Sequence, residues 1–133
     1  MKRITTLFLT LFTFIVFSFA FTACKSPVTT DGDFVVIKAE KVEENTTLLQ
    51  YMNALQEKGE LSFTVENGML TSIGDKKNTT KSYWMLYTSH SEFANEEWGV
   101  VEYQETTYAS ATLGVEDLII KEGETYIWAY TTF

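Results

Sequence analysis

The chain has 133 residues, a formal net charge of −8 and a single arginine, Arg3, so partners that must be gripped through phosphate, nucleic acid among them, are excluded. One cysteine excludes a disulfide framework, a zinc cluster and an iron–sulfur centre. One histidine leaves little for acid–base catalysis near neutral pH.

The chain opens with Lys2 and Arg3, then an apolar run from Leu7 to Ala23 broken only by threonines and one serine. A positive head, an apolar stretch and small closing residues predict a secretory signal over residues 1–23. The stretch ends Phe21-Thr22-Ala23-Cys24, which resembles the bacterial lipobox, with Phe21 in place of the usual Leu. The resemblance implies cleavage before Cys24 and a diacylglycerol on its sulfur. That would leave the protein lipid-anchored on the extracytoplasmic face of the cell membrane. The alternative is an uncleaved span, although the 17 residues from Leu7 to Ala23 are at the short limit for crossing a bilayer. The 110 residues after the signal carry 8 lysines and 18 acids, enough chain for one domain. Residues 24–33, rich in Ser, Thr, Gly and Asp, predict a lipidated polar tether.

A folded domain is predicted over residues 34–133. Phe34 to Ile37 is β-branched and reads as a strand continuing toward Val42. A helix follows, capped by Asn45 or Thr46, with Leu48, Met52 and Leu55 recurring at i, i+4 and i+7 and Gly59 beyond its last turn. Leu61 to Glu66 alternates apolar and polar residues. Asn67-Gly68 then signals a hairpin into a strand from Met69 to Ile73. Gly74 to Lys81 reads as a turn, Tyr83 to Tyr87 as an aromatic strand and Ser89 to Glu97 as a loop. Trp98 to Tyr103 reads as a strand, and Gln104 to Ala111 is ambiguous. Leu118 to Ile120 predicts a short strand and Tyr126 to Tyr130 a last one, with Tyr126, Trp128 and Tyr130 on its core side. The order predicts a small α+β domain: one main helix packed on a mostly antiparallel sheet with hairpins.

Four features in this order resemble the C-terminal domain of transcobalamin and intrinsic factor, a family that also occurs in bacterial surface proteins. They are the opening strand with its helix, the Gly68 to Ile73 segment, Tyr83-Trp84 with Met85-Leu86-Tyr87, and an ending. The ending runs Gly114-Val115, Glu122-Gly123-Glu124 and Tyr126-Ile127-Trp128-Ala129-Tyr130. The match covers roughly residues 34–131. It implies a β-grasp-like fold and capture of a small extracellular ligand, with cobalamin or another corrinoid as the candidate. It also implies docking to a membrane transporter component in support of uptake. The family's helical partner domain is not expected among these residues. The rival expectation is a surface module that binds a protein or glycan and no small molecule.

Candidate ligand-binding residues follow from the rings. Fourteen of the residues after the signal are Phe, Tyr or Trp, and ring faces bury much area at low entropy cost. Trp98 and Phe93 lie near a loop, Tyr87 on the aromatic strand, and Tyr103 and Tyr108 flank the ambiguous stretch. His90 adds an imidazole that can ligate the cobalt of a corrinoid, against the blander reading of a solvated loop histidine. Glu92, Glu96 and Glu97 lack the spacing of a calcium loop and read as a solvated face. No metal site and no catalytic residue is predicted: a serine nucleophile would have only His90 as its base, and no glycine-rich phosphate loop is present.

Overall fold

The structure is a computed structural model and describes residues 26–133. The predicted signal segment and Cys24 lie outside the described residues. No described helix is long and apolar enough to cross a membrane.

Residues predicted as tether instead begin the fold. Val28–Asp31 forms strand β1 and pairs antiparallel with β2, Phe34–Lys38, around a turn whose Gly32 takes φ +59°. The polar letters misled because β1 is an edge strand: Thr29 and Thr30 face water while their β-branched backbones still favour an extended chain. The domain therefore starts near Pro27, whose carbonyl accepts the Lys38 N–H, and not at Phe34.

Helix α1 spans Leu48–Glu57 and buries Leu48, Met52 and Leu55, the predicted stripe. Its cap is Thr47, not Asn45 or Thr46. Thr47 Oγ1 accepts the Gln50 N–H while Gln50 Oε1 accepts the Thr47 N–H, a reciprocal capping box spelled Thr-x-x-Gln. Asn45 is instead left-handed, at φ +62°, and the Thr46 hydroxyl donates to the Glu43 carbonyl.

Strands β3, Phe63–Glu66, and β4, Met69–Ile73, form the predicted hairpin. Asn67 and Gly68 both take positive φ, as a tight two-residue connection requires. The two-residue strand β5, Lys76–Lys77, completes a three-stranded sheet. Then come β6, Ser82–Thr88, a 3₁₀ turn at Ser91–Phe93, β7, Ala94–Tyr103, β8, Thr106–Ala111, and β9, Thr125–Thr132. The ambiguous stretch is thus half of a hairpin. Its turn, Gln104-Glu105, adopts φ of 47° and 65° without glycine or asparagine, which is why the letters hid it. Leu118 to Ile120 makes no strand; Ile119 forms one isolated bridge to Thr47 beside the helix start.

The large sheet has the order β1-β2-β9-β6-β8-β7, and every ladder among the described residues is antiparallel. The class is α+β. One face, the helix face, carries Val35, Ile37, Trp84, Leu86, Tyr126 and Trp128, which join the buried residues of α1 in one core. The three-stranded sheet is tied to the large one by polar side chains. Asn78 accepts the Trp84 N–H and donates to the Leu70 carbonyl. The Trp84 indole donates to the Lys76 carbonyl at 2.9 Å, and the Tyr130 hydroxyl to the Lys77 carbonyl at 2.6 Å. The described core and the side chains packed on it all lie between Val28 and Tyr130, so residues 26–133 carry their own core.

Ile127 sits on the opposite face of β9 and is fully buried. Ile127→Ala should lower unfolding free energy by about 2–5 kcal/mol, the usual range for such a truncation, as read from the urea midpoint. A change under about 1 kcal/mol would show that this face carries no core of its own.

Candidate functional site

Ladder register and alternation place Tyr87, Tyr108 and Tyr103 on the far face of the large sheet, away from α1. Tyr87 pairs with Ser110, and Tyr108 lies two residues along the same side. Tyr108 in turn pairs with Val101, two residues before Tyr103. Val36, Ile127 and Ala129 form the buried floor of this face, with half-buried Phe34 and Met85 beside them.

The sheet curls over this floor. Strand β7 is last in the sheet order and β1 is first, yet Tyr103 of β7 reaches the β1–β2 hairpin. Its ring centroid lies 5.3 Å from that of Phe34, tilted by 55°, and its hydroxyl donates to Asp31 Oδ2 at 3.3 Å. Desolvation first, and the Asp31 carboxylate second, raise the Tyr103 hydroxyl above the ordinary phenol range, so the donor keeps its proton at physiological pH. Phe34 and Asp31 belong to this cluster and were not foreseen. Asp31 lies 72 residues before Tyr103, a separation across which no local pattern reports a contact.

The other three candidates lie elsewhere. Trp98 sits in a four-residue bulge, Glu96 to Gly99, between the ladder pairs Asn95–Ser110 and Val100–Ala109. The extra residues free it from the sheet, and it stands 62% exposed. Glu96 and Glu97 of the same bulge are exposed, as expected. Phe93 packs edge-on against His90, with centroids 5.0 Å apart.

His90 is buried, not solvated. Its Nδ1 lies 3.2 Å from the Tyr126 hydroxyl, and that hydroxyl accepts the Lys121 N–H at 2.9 Å. Nε2 lies 3.7 Å from Glu92 Oε2. Nδ1 is thus engaged inside the fold, whichever of the two groups supplies the proton. A buried ring with Nδ1 so engaged is a poor ligand for cobalt. His90 and Phe93 instead help to line a cleft of about 330 Å³ with Glu44, Asn45, Ile119 and Lys121. Among the described residues no group of three or more His, Cys, Asp or Glu side chains is placed to hold a metal ion. Comparison with known families, with curated proteins and with solved structures finds no match for this chain.

Burial pushes the Tyr126 hydroxyl above its ordinary value of 10.0, partly offset by the Lys121 N–H. Burial also raises Tyr51, whose hydroxyl donates to the Lys38 carbonyl and accepts the Glu40 N–H. In both, the unfolded chain releases the phenol proton first. Their stabilising contribution is therefore full below pH 10 and falls as pH rises above it. Urea midpoints should decline as pH rises above about 10, and Tyr126→Phe should flatten that decline. A midpoint that rose over this range would contradict the assignment.

Proposed function

We propose that this chain is an extracytoplasmic lipoprotein whose single domain captures a small ligand in support of uptake, with cobalamin or another corrinoid as the candidate. The observation that carries this reading is the gathering of half-buried rings, Phe34, Tyr87, Tyr103 and Tyr108, on one curled sheet face. Partly open ring faces suit a flat organic guest, and the phenol hydroxyls can meet its amide groups. The resemblance to the transcobalamin and intrinsic-factor C-terminal domain supports the same reading. Its β-grasp element rests on one helix crossing one face of a sheet in which β2 and β9 are neighbours, although their ladder is antiparallel. A corrinoid on this domain would be held by ring faces and not by a cobalt–His90 bond, since His90 is buried with its Nδ1 engaged by the Tyr126 hydroxyl. No catalytic step is part of the proposal. The anchor belongs to Cys24, and a transporter component of the same membrane is the natural recipient of the ligand.

A second reading, docking to a protein or glycan, is favoured by Trp98 and Val100, which stand 62% and 51% exposed on β7. Equilibrium dialysis of residues 26–133 against cobalamin, cobinamide and a vitamin panel separates the two. Capture predicts a Kd of about 1 µM or tighter for one member, weakened about tenfold or more by Tyr108→Ala and left unchanged by Trp98→Ala. Absence of binding to every member transfers the case to the docking surface.

The anchor is tested apart from the ligand. Radiolabelled palmitate should enter the full-length chain in a bacterial host and be lost in Cys24→Ala. Labelling that survives the substitution removes the lipoprotein assignment.

A further inference from the structure

A second cavity lies on the helix face, between the β3–β4 turn and the loop that follows β8. It holds about 280 Å³ and is walled by Met69, Leu70, Val115 and the indoles of Trp84 and Trp128, with backbone from Gly68 and Gly114. No ionisable side chain lines it. Glu116 stands at its rim, its carboxylate 3.1 Å from where a Cβ on Gly68 would lie.

The two indoles differ in one respect. Trp84 Nε1 donates to the Lys76 carbonyl. Trp128 is 4% exposed, and its Nε1 is the one buried side-chain nitrogen or oxygen among the described residues with no hydrogen-bond partner. Leaving a buried N–H unpaired costs on the order of 1–3 kcal/mol, so such groups are rare in folded proteins and mark places where a partner belongs. Trp128 is held there by position: it pairs with Val35 on one side and Leu86 on the other, in the middle of the sheet.

We infer that this cavity is a binding site for an uncharged, largely apolar small molecule that presents one carbonyl-type oxygen to Trp128 Nε1. The apolar walls favour a ring or short acyl group. The absence of a lining charge, with Glu116 at the rim, disfavours an anion, which would enter without a counter-charge. The unpaired donor selects an acceptor over a plain hydrocarbon of equal shape. Nε1 is sealed from solvent, so a wall side chain must rotate to admit the oxygen. Met69, 61% exposed and unbranched, is the flexible part of the wall. The site deepens the small-ligand reading and rests on it, but it uses none of the far-face rings.

The test is a titration of ¹⁵N-labelled residues 26–133 followed at the indole N–H signals, with acetanilide as the acceptor-bearing probe and n-propylbenzene as its acceptor-free counterpart. Acetanilide should shift the Trp128 Nε1–H signal saturably and bind about tenfold tighter than n-propylbenzene. Trp128→Phe should remove that preference. Gly114→Leu plugs the cavity from its rim: a Cβ at Gly114 meets only the Gly68 carbonyl, at 3.8 Å, so the fold should keep its melting temperature while both probes lose binding. An unmoved Trp128 signal, or equal affinity for the two probes, overturns the inference, as does a preference kept in Trp128→Phe. Where Trp128→Phe fails to fold, the Gly114→Leu variant decides alone, and unchanged probe binding in it overturns the site. A vitamin that binds while Trp128 Nε1–H stays unmoved would overturn this site and leave the capture reading standing. Probe binding at Trp128 with no vitamin bound would do the reverse.

Discussion

Strand β9 is buried on both faces, and the rest of the domain is arranged around that fact. Tyr126, Ile127, Trp128 and Ala129 are each at most 4% exposed. A strand between two neighbours satisfies its backbone through ladders, here to β2 and β6, but its side chains need a cover on either side. On one side the cover is α1, with the segment from Val115 to Ile120 and the small three-stranded sheet. On the other side no second layer is present among the described residues, and the sheet covers itself by curling until β7 meets the β1–β2 hairpin. Each large apolar side chain enclosed in this way contributes about 1.5–3 kcal/mol. The two covers therefore contribute stabilisation of the same kind.

That arrangement divides the aromatic residues by role. Trp84, Tyr126, Trp128 and Tyr130 sit on the helix face, where all but Trp128 end in a hydrogen bond that ties one part of the fold to another. Phe34, Tyr87, Tyr103 and Tyr108 sit where the curl is incomplete and remain half-buried. Trp98 stands outside both, pushed out by the bulge. The same residue types thus sit at different depths. His90 joins the structural group, because the hydroxyl that holds its Nδ1 is itself held by the Lys121 backbone.

Much of the architecture was legible in the letters. The stripe Leu48, Met52, Leu55 and the Asn67-Gly68 turn named α1 and the β3–β4 hairpin. Alternation separated Trp84 and Leu86 from Tyr83, Met85 and Tyr87. The misses share one cause. Edge strand β1 looks like a linker because its side chains are polar, and the Gln104-Glu105 turn uses residues that do not favour positive φ. Leu118 and Ile120 look like a strand because they are buried, though they are buried by packing beside the helix start. In each case the tertiary setting outweighed local preference.

By itself the sequence determined an apolar N-terminal run before a lone cysteine, an acidic remainder without arginine, one amphipathic helix and a set of aromatic strands. Those follow from composition and short-range period, which depend on neighbours along the chain. Only the tertiary structure decided that Tyr103 closes on Phe34 and Asp31, that His90 is sealed beneath Phe93, and that the Trp128 indole is left unpaired beside a cavity. The reason is geometric. Strand order and sheet curl set which distant residues meet, and a hydrogen bond made or left open between them has no signature within any short window of residues.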